Sequence, residues 1–209
     1  MPFRELNTMQ LDTLKEVSNI GMGHAATALS QMIGQTICLR VPHVTITEVS
    51  RVPDSLGDAE KAMVGITMQI LGDARGNIML LFTQDNALRL LCSLLGQQEK
   101  VLVMHEMAVS ALKEVGNILA SSYLSAMGNL LNKTLIPSVP MLACERAGAV
   151  VEYVLRELRQ AGELALIVET EFSGDSDRNT AIRGHFFLMP DPATLDIFLN
   201  AAADPHSLT

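Results

Sequence analysis

LKEVSNI at residues 14–20 returns as LKEVGNI at residues 112–118, with only Ser18 exchanged for Gly116. Sliding the chain on itself by 98 residues aligns Leu11–Pro42 with Val109–Pro140 without a gap. Ten positions are identical: Leu14, Lys15, Glu16, Val17, Asn19, Ile20, Ala28, Thr36, Val41 and Pro42 meet their counterparts. Average residue usage would give about two such identities, so the chain carries an internal duplication.

Each half offers a similar order of elements. The first predicts a long helix around 8–33, a strand near 36–50, strands near 61–71 and 75–83, and a helix near 84–95. The second predicts a helix around 103–131, a strand near 134–145, a short helix near 147–160, strands near 163–172 and 180–189, and a helix near 191–202. Gly72-Asp73 and SGDSDRN at 173–179 are turn formers joining neighbouring strands, which implies antiparallel pairing. The expected fold is α+β, an α/β sandwich in which two long helices pack an antiparallel sheet with pseudo-two-fold symmetry. We expect one domain over 1–209 made of two repeats, about 8–96 and 103–203, meeting at GQQEKV (96–101).

Bulk properties narrow the function. At 209 residues, 48% hydrophobic and 18% charged, the chain is globular and can bury a sizeable core, but 4% aromatics make that core aliphatic and rich in Met. A net charge of −8 argues against nucleic acid or an anionic membrane as the main partner. No apolar run approaches the length that spans a bilayer, and the N-terminus lacks a signal-peptide pattern, so a cytoplasmic setting is expected. Cys38, Cys92 and Cys144 are odd in number and far apart, which suits buried free thiols in a reducing compartment.

A helix advances about 100° per residue, so faces can be read from spacing. In the first long helix Leu14, Val17, Gly21, Ala25, Ala28 and Met32 form an apolar stripe; Asp12, Glu16, Asn19, Gly23, Thr27 and Ser30 lie opposite. The second repeats the division. Ala108, Leu112, Val115, Leu119, Tyr123, Ala126 and Leu130 face the core, and Ser110, Glu114, Asn117, Ser121, Ser125 and Gly128 face away. A solvated face usually carries long Lys and Glu side chains. Here one Glu and one Asn stand among Gly, Ser and Thr, so another protein's surface can approach closely while the two polar groups reach into it.

Two spaced copies of Asp/Ser-x-x-x-Glu-x-x-Asn, DTLKEVSN at 12–19 and SALKEVGN at 110–117, resemble the CheC/CheX/FliY family of chemotaxis phosphatases. NIGMGHAATALS after the first copy, IPSVP at 136–140, AGAVVEYVL at 147–155 and LALIVETEF at 164–172 carry the resemblance along the chain. It implies hydrolysis of the aspartyl-phosphate on a CheY-type response regulator, with one site on each long helix. It implies no cofactor bound by this chain, since the Mg²⁺ belongs to the receiver's acidic pocket. In the family the motif acid contacts a lysine of the receiver, a role that falls to Glu16 and Glu114. CheD, a receptor-modifying deamidase, is a further partner of family members, with the helix near 147–160 as the expected contact.

The chemistry suits the residues. An acyl phosphate has a good leaving group, so a catalyst need only hold water in line behind phosphorus. A carboxamide can do so by accepting a hydrogen from water, which assigns Asn19 and Asn117 as water positioners. Asp12 and Ser110 are rim contacts or helix-entry residues, and Gly23 and Ser121 serve by being small. Other motifs carry less. GMG at 21–23 lies inside a helix; His105-Glu106 lacks a second metal ligand because position 109 is Val; Asp175, Asp177 and Asn179 mimic a calcium loop whose later ligands are missing. The alternative function is a non-catalytic module that sequesters phosphorylated CheY or regulates a CheD-type partner.

Overall fold

The computed structural model describes residues 8–34, 36–48, 51, 61–96, 101–146, 149, 164–174 and 182–201. In chain order the elements are α1 (Thr8–Ile33), β1 (Ile37–Arg40), β2 (Val44–Glu48), β3 (Ala62–Gly72), β4 (Gly76–Thr83), α2 (Gln84–Leu95), α3 (Glu106–Leu131), β5 (Leu135–Pro137), β6 (Met141–Arg146), β7 (Leu164–Gly174), β8 (Ile182–Pro190) and α4 (Pro192–Ala201). Of the short helix expected at 147–160, all but residue 149 lies outside the described residues, as do residues 175–179 of the expected turn and 97–100 of the seam.

Every strand pairing is antiparallel, and the order across the sheet is β1 and β2, then β7, β8, β4, β3, then β5 and β6. The order reads the same from either edge when the two halves are exchanged. The fold is therefore α+β with pseudo-two-fold symmetry, and its axis passes between β4 and β8. The edge strands of each half pair with the other half's hairpin: β1 and β2 with β7, β5 and β6 with β3.

The strands expected near 36–50 and 134–145 are each divided in two, which corrects the sequence reading. Between the pairs Arg40–Glu171 and Val44–Val168, three residues face two, and the same holds between Pro137–Ile70 and Met141–Thr67. Both interruptions contain the repeated Val-Pro, residues 41–42 and 139–140. Proline has no N–H to give a ladder, so each edge strand bulges there. Backbone bonds from Glu169 N to His43 O and from Ser138 N to Gln69 O re-anchor the bulges.

Side chains of period two fill the helix-covered face of the sheet. Register places Met68, Ile78, Leu188 and Leu166 in one row, and Ile66, Leu80, Phe186 and Val168 in the next. In the third row Val64 and Phe82 meet Gly184 and Thr170. A Cβ on Gly184 would lie 2.4 Å from Phe82 Cε1, so the glycine is what lets that ring lie flat across the sheet. The Thr170 hydroxyl donates to Gly184 O at 3.0 Å. Alternate residues Met63, Met79, Leu81, Ile167, Phe187 and Met189 are buried on the other face, so the sheet is covered on both sides.

α1 and α3 pack on each other and on the first face, in one core cluster with the sheet. They approach closely at Gly21, where an added Cβ would lie 2.9 Å from Tyr123 Cα. The one difference between the repeated heptapeptides is explained nearby. Ser18 is buried between the helices, donating to Leu14 O at 2.7 Å and hydrogen-bonded to the Tyr123 hydroxyl at 3.4 Å. Gly116, its counterpart, rests on the sheet, where a Cβ would come 2.8 Å from Ile66 Cγ2. Both positions demand a small residue, for different neighbours.

The apolar stripes hold with three corrections, the first being that Ala28 of α1 is only half-buried. Met32 is 45% exposed because the buried stripe of α1 drifts toward Met22 and Leu29, and Leu130 of α3 is only half-buried. The cysteines are free, but Cys38 and Cys144 are exposed and only Cys92 is half-buried. Cys38 and Cys144 sit on the bulged edge strands β1 and β6, where one side of the strand is open to solvent. His105 is the N-cap of α3, its Nδ1 accepting from Ala108 N at 3.2 Å, so His105-Glu106 begins a helix in the way a capping residue does.

Two outcomes are expected in denaturant unfolding. Gly21→Val, forced against the Tyr123 backbone, lowers stability by about 3 kcal/mol, while Gly23→Ala, with nothing within 4 Å of its added Cβ, raises it by about 0.5–1 kcal/mol. Burial pushes the Tyr123 hydroxyl up to about 12 from its ordinary 10.0, against a smaller lowering by Ser18. The folded state then holds a proton that the unfolded state releases, so this contribution is intact below pH 10 and is lost as pH rises to about 12, at about 1.4 kcal/mol per pH unit. Tyr123→Phe removes that extra alkaline slope, which unfolding curves of both proteins at pH 9 and pH 11.5 check.

Candidate functional site

With their apolar stripes pressed on the sheet and on each other, α1 and α3 turn their remaining faces outward. On α1, Asp12, Glu16, Asn19 and Gly23 are all exposed. On α3, Ser110, Glu114 and Ser121 are exposed and Asn117 is half-buried. Successive members of each set are three or four residues apart, so each forms one stripe with about 5 Å between neighbours along the axis. Glu and Asn of a pair can therefore reach one partner surface together.

Among the described residues, no hydrogen bond or ion pair engages the side chains of Glu16, Asn19, Glu114 or Asn117. Other polar groups on these helices are differently employed. Ser18 is spent inside the core; Thr27 Oγ1 donates back to Gly23 O at 3.1 Å. Ser30, which spacing placed on the outward face of α1, is half-buried and joins α1 to β1: it donates to Ala26 O at 2.6 Å and accepts from Ile37 N at 2.8 Å. Gly128, placed on the outward face of α3, is buried at its end, where Lys133 N donates to Gly128 O and a Cβ would lie 2.6 Å from Lys133 O. Both belong to helix termination, because a helix end must pair its last carbonyls and pack the chain as it leaves.

Electrostatically the α1 stripe is acidic, with Asp12 and Glu16 one turn apart and exposed. Such a stripe repels a bare phosphoryl group and favours a surface that presents a cation beside it. Ile20, next to Asn19, is 42% exposed, while its counterpart Ile118 is half-buried. Neither stripe read from spacing includes it, and its identity in the two copies was the available signal. It adds an aliphatic contact at the first site that the second presents less fully.

Among the described residues no group of three His, Cys, Asp or Glu side chains converges as a metal site, and no helix is long and apolar enough to cross a membrane. The outward faces present amide, carboxylate and small side chains, which can position and contact a partner.

Known proteins resemble this chain in sequence and in fold. The CheC-like family matches the chain twice, over residues 9–46 and 107–142, each stretch opening with a long helix. The chain is 34% identical over 192 residues to the CheY-P phosphatase CheC of Bacillus subtilis (strain 168), covering 90% of this chain and 91% of that one. Among solved structures, Thermotoga maritima FliY superposes with a TM-score of 0.75 at 19% identity, over 94% of this chain and 97% of that one. The FliM middle domain of H. pylori does so with a TM-score of 0.63 at 11% identity, over 94% and 99%. At those identities the two structures speak for the fold alone, whereas the sequence match spans nearly the whole of both chains: this chain belongs to the CheC-like family.

Proposed function

We propose that the chain is a chemotaxis phosphatase that hydrolyses the aspartyl-phosphate of a CheY-type response regulator, using one Glu–Asn pair on each long helix. The observation that supports this most is the outward placement of both pairs with their polar groups unspent. The family relationship to a protein named as a CheY-P phosphatase supports it independently.

In this reading the receiver docks along α1 or α3, and the Asn reaches its phosphorylated carboxyl. The amide oxygen of Asn19 or Asn117 accepts a hydrogen from water and holds that water in line behind phosphorus. As the water oxygen bonds to phosphorus, the bond to the receiver's aspartate breaks. The carboxylate leaves with the electron pair, and the water's proton passes to the released phosphate. No strong base is required, because the leaving group is a stable anion. Positioning worth about 3 kcal/mol accelerates the reaction about a hundredfold.

Glu16 and Glu114 bind a cationic side chain of the receiver beside its phosphoryl group and so set the angle at which the Asn arrives. Asp12 and Ser110 complete the rim. Gly23 and Ser121 let the partner's backbone come close; Gly23 is not demanded by the chain's own packing, as the empty space around it indicates. The Mg²⁺ is the receiver's own, and the enzyme works in the cytoplasm as one domain built from two repeats. A CheD-type partner remains compatible with this scheme, through a segment outside the described residues.

Phosphate release from phosphorylated receiver, with the chain substoichiometric and Mg²⁺ present, tests the assignment. Asn19→Ala and Asn117→Ala each leave a functioning site, whereas the double variant falls about a hundredfold toward the receiver's own decay. Full turnover in the double variant would defeat it; a wild-type chain that binds the phosphorylated receiver without multiple turnovers would favour the sequestering module. In the same assay Gly23→Ala, although stabilising, raises KM at the first site, best seen in an Asn117→Ala background.

A further inference from the structure

Extending the 98-residue alignment two positions toward the N-terminus brings Met9 onto Met107. Both lie in the first turn of their long helix, both are exposed (52% and 58%), and each precedes its motif glutamate by seven residues. Seven residues are about two helical turns, within roughly 20° of a full rotation, so each Met continues the stripe of its own site. It stands about 10 Å along the axis from the Glu and about 15 Å from the Asn.

A first turn open to water has no packing reason to carry a large thioether. Six of the chain's methionines, Met22, Met63, Met68, Met79, Met127 and Met189, are buried in the core. Met32 and Met141 are exposed like Met9 and Met107, but the positions aligned with them hold Leu130 and His43 rather than a second Met. Met also adapts its shape to a partner through three rotatable bonds. The flanks of the two copies have otherwise diverged, with Thr8 against Glu106 and Gln10 against Ala108. Retention of the same exposed apolar side chain at the same distance from each Glu–Asn pair therefore points to a shared use.

We propose that Met9 and Met107 are specificity contacts of the two sites, each seating on an apolar patch of the phosphorylated receiver about 10–15 Å from its acyl phosphate. This rests on the phosphatase reading and deepens it. Glu and Asn recognise features that any phosphorylated receiver shares; the Met selects among receivers by what lies further out on their surface. Burying the exposed half of one such side chain is worth on the order of tenfold in affinity.

The test compares wild type, Met9→Ser/Met107→Ser, Asn19→Ala/Asn117→Ala and a Val139→Ser control, the last being 84% exposed on the sheet edge. Each is assayed for turnover of phosphorylated receiver and for binding to the same receiver charged with beryllofluoride. The expected result for the methionine pair is a KM and a Kd raised about tenfold with kcat retained, against an asparagine pair that loses kcat and a control that changes neither. Unchanged KM and Kd in the methionine pair, with wild type active, would overturn the inference and leave the phosphatase reading standing. A wild type that neither turns over nor binds the receiver would overturn both. Because both side chains are exposed, unfolding curves matching wild type accompany the expected result.

Discussion

The bulged edge strands tie the two halves into one object. β1 and β2 form their ladder on β7 of the other half, and β5 and β6 form theirs on β3. Unpaired backbone groups on a buried strand cost more than most side-chain contacts return, so neither hairpin can dispense with the other half's edge. Since each edge strand follows directly from a long helix, the exchange also fixes where α1 and α3 lie. The two helices are held over the same face of one sheet, in contact at Gly21.

The proposed site follows from the leftover faces. A helix whose inner stripe is consumed by sheet and neighbour can expose only its remaining side, and here that side carries Glu, Asn and small residues in both copies. A site of this kind needs no pocket. In the proposed mechanism, the reacting group arrives already activated on its own protein, and the catalyst contributes an amide at a fixed height above a close-fitting surface. Placing that amide on a helix anchored by a packed core keeps its position precise in a way a loop could not.

Much of this was legible in the sequence, because a duplication supplies its own comparison. Leu14, Val17 and Ala25, with Leu112, Val115 and Leu119, followed the helical period into the core, and Glu16 and Asn19 stood out by repeating where no packing required them. What stayed hidden depends on neighbours distant in sequence. The edge strands read as continuous, since a bulge is defined by the partner strand that it faces. Ser30 and Gly128 fell on the outward face by angle, yet the chain turns back over them at the helix ends. For Cys38 and Cys144 the expectation rested on the usual burial of thiols, whereas on their edge strands both are exposed. Met9 and Met107 escaped notice because an exposed methionine is indistinguishable from a core one until the surface is drawn.

The account stands on Asn19 and Asn117 meeting the phosphorylated receiver directly, and side-chain amide resonances report that contact. Titrating the ¹⁵N-labelled chain with beryllofluoride-charged receiver and Mg²⁺ should shift or broaden the Asn19 and Asn117 side-chain amides, together with backbone signals along the outward stripes of α1 and α3. If those amides stay unmoved while the perturbed signals gather on the sheet edges, the receiver docks elsewhere and the assignment is contradicted.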